Sequence, residues 1–287
     1  MWVSFPDPHH PFDCPEPWSL LYDPKDVPLP KHRTRDLERR PWWHKAVLES
    51  KPQLADPVMY KFRTEGSRVP DQSDEQLAHM TANYYGMISL IDHNVGRILD
   101  ALEAQGLADN TLVVYTTDHG ELLGNHGLYL KHPIPYEDLL RVGMIARGPG
   151  IAPGKIITEP VSTLDLAATF YDYSGVEHDG ALQSRSLRPL IENAGATRDV
   201  AWSEWHVDAS RCGIPLKLRT VRTATRKCTF DLASGAGEMY DLANDPEEMN
   251  NLFDDPGYAK ARKELEDMMR ARPGKVREDL AEPVGMA

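Results

Sequence analysis

Nowhere does this chain carry an apolar run of the ~20 residues that a membrane-spanning helix requires. Its opening, MWVSFPDPHH, also lacks the basic and apolar regions of an export signal. No membrane partner is expected, and the expected location is the cytoplasm. Cysteine is scarce: Cys14, Cys212 and Cys228 are too scattered for a disulfide framework, and none belongs to a CxxC zinc pair, which fits a reducing interior. Positive charge is in deficit, and a net charge of -12 argues against nucleic acid as a partner, because phosphate binding draws on cationic groups that release counterions. A small anionic substrate held by local charge stays open, as does a homo-oligomer. Internal repeats are missing too. What is abundant is apolar: 41% hydrophobic residues over 287 positions can build one large α/β domain with an appendage, or two modest domains.

The stretch Thr111 to Lys131, TLVVYTTDHGELLGNHGLYLK, organises the rest. Leu112 to Tyr115 reads as a buried strand that stops at Thr117, Asp118, His119 and Gly120. Polar residues gathered at the carboxyl end of a strand in an α/β sheet stand where ligands bind. Adjacent strand residues face opposite ways, so Asp118 and His119 can share a ligand only if the chain turns between them, and Gly120 permits that turn.

Around this stretch, Trp2 to Phe5 reads as a strand beginning almost at the first residue, so the opening looks cut into an existing domain. Residues 24 to 45 mix arginines with acids and read as a solvated loop or short helix. Asp74 to Gln105 is the clearest helix, with Ser73 and Gln76 as a capping box and Gly106 as its stop. Val142 to Ala146 reads as another buried strand, and a helix runs from Leu164 to Tyr173 after Thr163. That order predicts a mostly parallel sheet flanked by helices over residues 1–195. Short alternating runs beyond it predict a small antiparallel sheet and a helix from Tyr258 to Arg270, within residues 196–272, and residues 273–287 read as a loose tail.

The motif TTDHGELLGNHGLYLKHPIPYEDLLRVGMIARGPG resembles the C-terminal half of the sulfatases, in the alkaline-phosphatase-like superfamily. Pro6-Asp-Pro-His-His-Pro-Phe12 is similar to that family's substrate-histidine segment, and Tyr240 to Glu248 with Asn251-Leu252 to its C-terminal signature. The resemblance implies Asp118 and His119 as ligands of one divalent metal ion, usually calcium, although a nitrogen ligand suits manganese or zinc better. It implies Lys131 and His9 as the groups that bind and act on a small anionic ester, with Asn125 and His126 structuring the loop. Each also has a plain alternative: turn caps for the pair, a surface lysine, a histidine before a proline turn. One requirement is unmet. The family's Cys-x-Pro-x-Arg, or Ser in place of Cys, whose first residue becomes the formylglycine nucleophile, occurs nowhere: Cys14, Cys212 and Cys228 lack the pattern, and Ser184 to Arg188 lacks the proline. The expectation is therefore a C-terminal portion of a sulfuric ester hydrolase, inactive alone. A phosphonate monoester or phosphodiester hydrolase and a non-catalytic truncated relative stand as alternatives.

Overall fold

A computed structural model describes residues 1–49, 51–61, 64, 71–178, 182–192, 195–209 and 213–272, so the expected loose tail lies outside the described residues. Residues 1–40 form no strand and only short 3-10 turns, such as Trp18–Leu20. The expected strand at Trp2 to Phe5 does not form, and Trp2 and Val3 are exposed. Pro6, Pro8 and Pro11 follow at once and remove the amide donors that a ladder needs. Downstream, Arg33 forks onto Asp74 and Arg35 reaches Asp71, while buried Arg40 donates to the Tyr240 hydroxyl and the Glu248 carbonyl.

The helix Asp74–Ala104 forms as its sequence predicts, with the Ser73–Gln76 capping box complete and Gly106 at φ +67° after it. It buries Leu77, Ala82, Met87 and Ile91. No helix among the described residues is long and apolar enough to cross a membrane.

Strand β1 (Val113–Thr116) pairs with β2 (Met144–Arg147) in the register Val113 to Arg147 and Thr116 to Met144. The pairing is antiparallel, against the parallel order that the alternation of helix and strand predicts. The connection between them holds the 3-10 turn Asn125–Gly127 and the one-turn helix Glu137–Leu140, and no crossover helix of the length a parallel return needs. The helix Asp165–Ser174 follows, ending at Gly175 with φ +67°.

Four strands, β3 (Ala201–Val207), β4 (Leu216–Arg222), β5 (Arg226–Asp231) and β6 (Gly237–Asp241), form an antiparallel meander. One face packs Val221, Cys228 and Met239 against Leu265 and Met269 of the helix Ala259–Arg270. The other face brings Leu216, Leu218 and Tyr240 onto Trp43 of the helix Trp42–Glu49 and onto Leu122, Leu128, Ile134, Tyr136 and Leu139. That second cluster is the foundation of the site, because five of its members flank Lys131 in the loop between β1 and β2.

Candidate metal and anion site

Two residues beyond β1, the chain bends at Asp118, and the backbone that follows is closely crowded. A Cβ on Gly120 would collide with the carbonyl of Asp138, and the Gly120 amide donates to the Leu139 carbonyl at 3.0 Å. The glycine therefore serves a close backbone approach, where the sequence alone pointed to its freedom to turn.

The turn brings the neighbouring side chains together. Asp118 is 87% exposed, with one carboxylate oxygen accepting the His119 amide at 2.9 Å and the other 3.6 Å from His119 Nε2. His119 Nδ1 lies 2.6 Å from the Gly120 carbonyl, which can only accept, so Nδ1 carries the proton and Nε2 keeps its lone pair. Lys131 Nζ donates to that lone pair at 3.0 Å. An oxygen donor, a nitrogen donor and an ammonium thus share one small volume, the donor set that a divalent cation and an anionic ester need. Asp118 and His119 fit as two ligands of such a cation, and among the described residues no cluster of three or more histidine, cysteine or acidic side chains could hold a metal.

Beneath them lies Glu121, which the sequence reading gave no role of its own. Burial pushes its carboxyl up to about 7, against backbone amide bonds from Leu123, Leu130 and Leu122 and the charge of Lys131. Burial, with Glu121 next, pushes the Tyr84 hydroxyl up to about 12. The Tyr84 ring meets Phe12 edge-on at 5.4 Å. The signal for Glu121 was its place in Asp-His-Gly-Glu; Tyr84 had none, since it comes from a distant helix.

His9 sits on an exposed segment, its Nδ1 donating to the His10 carbonyl at 2.7 Å and its ring stacked on His10 at 4.1 Å. Phe12 anchors that segment beside the lysine loop by packing with Leu77, Tyr129 and Leu130. The structure thus gathers Asp118, His119 and Lys131, and Phe12 ties the segment that carries His9 to their loop.

Asn125 and His126 structure the loop. Asn125 donates to Asp138 at 2.8 Å, and buried His126 takes φ +54° and stacks on Tyr136 at 3.9 Å. Burial, then the charge of Arg40, pushes the His126 imidazole down to about 3. Neither described cysteine offers a thiolate: burial raises both thiols, Cys14 and, in the C-terminal core, Cys228.

Comparison with known proteins gives the chain a family. Residues 1–176 match the family described as Sulfatase, and residues 124–274 the family described as N-sulphoglucosamine sulphohydrolase, C-terminal. An uncharacterised sulfatase of Escherichia coli (strain K12) is 29% identical over 97% of this chain and 51% of its own length. An N-acetylglucosamine-6-O-sulfatase of Bacteroides thetaiotaomicron is 30% identical over 92% of this chain and 52% of its own. Among solved structures, a phosphonate monoester hydrolase from Silicibacter pomeroyi superposes with a TM-score of 0.76 at 26% identity, over 92% of this chain and 53% of that one. The chain spans about half the length of the curated relatives it matches. Since the first family match alone extends over more than half of the sequence and includes the turn that joins Asp118, His119 and Lys131, the chain belongs to the sulfatase family.

Proposed function

We propose that this chain carries the metal- and anion-binding half of a hydrolase of sulfuric esters. The observation that carries the reading is the meeting of Asp118, His119 and Lys131 at the end of β1. Asp118 and His119 would hold one divalent cation. Calcium is the usual ion of the family, and the nitrogen donor favours manganese or zinc. Such a cation, when bound, supplies Lewis-acid polarisation of a sulfuryl oxygen. Lys131 holds the ester's anionic oxygens as a compact charge, and His9 donates to the ester oxygen or leaving group. The sequence carries no Cys-x-Pro-x-Arg motif to supply the attacking oxygen, and on this reading the chain alone is expected to turn over no sulfate ester.

Calorimetric titration with Ca²⁺, Mn²⁺ and Zn²⁺ tests the site. The expected result is one ion per chain for at least one of the three, with binding lost in Asp118→Ala and in His119→Ala. Binding that survives both substitutions, or no binding at all, overturns the reading. Incubation of the pure chain with 4-nitrophenyl sulfate is expected to release no nitrophenol, and measurable release removes the claim that the nucleophile lies elsewhere.

A second reading, hydrolysis of a phosphonate monoester or phosphodiester, is favoured by the histidine at the second metal position and by likeness to the Silicibacter pomeroyi enzyme. Rates on matched aryl sulfate and aryl phosphonate esters, measured with this chain joined to a segment bearing Cys-x-Pro-x-Arg, separate the two. No turnover of either ester by the joined protein would favour a non-catalytic sulfatase-like protein.

A further inference from the structure

The loop that carries Lys131 is gripped by two buried ionisable side chains, one on the C-terminal sheet and one in the turn beyond it, that the proposed chemistry does not use. Lys227, on β5, is 0% exposed, and its ammonium donates to the Pro135 carbonyl at 2.6 Å. It also pairs with Glu248 and lies 3.8 Å from Glu137. The other oxygen of Glu248 accepts the Glu137 amide at 2.6 Å. Arg222, on β4, closes onto Glu137 at 3.1 Å. Glu248 itself is fixed: its backbone takes φ +55°, and its carbonyl accepts from Arg40 at 2.6 Å. A carbonyl at 135 and an amide at 137 are thus both held by side chains from about ninety and about a hundred and ten residues away.

A buried ion pair is a poor device for stability, since apolar residues of equal volume often serve as well or better, and its best-attested use is to fix a register. Here the register leads to the site. From the gripped segment the chain enters the turn Glu137–Leu140, whose Leu139 carbonyl accepts the Gly120 amide and whose Asp138 backbone presses on Gly120. The Gly120 carbonyl in turn accepts a hydrogen bond from His119 Nδ1, which leaves Nε2 unprotonated to accept from Lys131.

We propose that the buried Lys227–Glu248 pair is a positioning device that presses the 135–139 segment onto Gly120 and so holds His119 in the tautomer with Nε2 unprotonated. Its effect on cation binding rests on the hydrolase reading, but its effect on the tautomer does not.

The test is the double variant Lys227→Met with Glu248→Gln, which removes both charges at similar volume. In metal-free protein at alkaline pH, ¹⁵N spectra of labelled histidine, with His119 assigned from a His119→Asn sample, are expected to show a protonated Nδ1 in the wild type. The double variant is expected to show the two tautomers exchanging, and Mn²⁺ affinity is expected to fall about tenfold, the scale at which residues orienting a metal ligand act. A pair that only stabilises the fold lowers the melting temperature and leaves tautomer and affinity unchanged, which overturns the proposal. Glu137→Gln perturbs the grip from its more accessible side and serves if the double variant does not fold, with a smaller shift in the same direction expected and no shift overturning it. A wild type that binds no Mn²⁺ but shows the expected tautomers counts against the hydrolase reading alone.

Discussion

A methyl group at position 120 has nowhere to go, because the Asp138 carbonyl occupies its place. Gly120→Ala must push the Glu137–Leu140 turn away, at a cost of about 1–3 kcal/mol for overpacking, with loss of cation binding. Urea denaturation and Mn²⁺ titration check both, and unchanged values would mean that the approach is slack. His126 gives a prediction in pH. Its folded imidazole is held down to about 3 by burial, against an ordinary value of 6.5, so the unfolded chain binds a proton in between and the fold does not. The stability from neutral His126 is therefore complete above pH 6.5 and is lost as pH falls toward 3, by at most about 1.4 kcal/mol per pH unit. Glu121 slopes the other way: its folded carboxyl, held up to about 7 from 4.5, contributes stability that is complete below pH 4.5 and lost as pH rises to about 7. The comparison that isolates His126 is wild type against His126→Phe, whose stability difference should rise between pH 4 and 6.5 and then level. Parallel curves would rule out the buried, neutral ring. At this scale the sequence was most legible where partners are neighbours: Asp118, His119 and Lys131 lie within fourteen residues, whereas Tyr84 reaches Glu121 from another element.

Elements with a local period were the readable ones. The helix Asp74–Ala104 announces itself by its apolar spacing and its box, and Ser73→Ala should remove about 1 kcal/mol from urea-unfolding stability by freeing the Gln76 amide. A loss below a few tenths would show that solvent replaces the cap. The strands β3 to β6 were equally readable, but the burial of their polar face was not. Alternation ordinarily marks a solvated side. Here Lys227, Thr229, Asp231 and Glu238 lie on the alternate positions and are all buried, because the loop between β1 and β2 covers that face. Pattern gives the period of a strand; what packs on it is decided by a segment about ninety residues away. The antiparallel pairing of β1 with β2 was hidden for the same reason, since two short apolar runs read alike in either direction.

At the scale of the molecule, one buried cluster runs across residue 195, where the change in sequence pattern places a division. Trp43, Leu122, Ile134, Tyr136 and Leu139 from one side and Val207, Leu216, Leu218 and Tyr240 from the other form a single buried cluster. Separating the halves would uncover both, and burying such side chains contributes about 1.5–3 kcal/mol each, so neither half keeps enough to hold the loop in place. The described chain should then unfold as one unit, with tryptophan fluorescence and far-ultraviolet circular dichroism tracing the same urea transition. A fragment of residues 1–195 should bind no Mn²⁺, because the grip on 135–137 and the floor under Leu122 and Leu128 leave with the sheet. Two resolved transitions, or a fragment that binds the cation as well as the whole chain does, would show that the site stands without the C-terminal sheet.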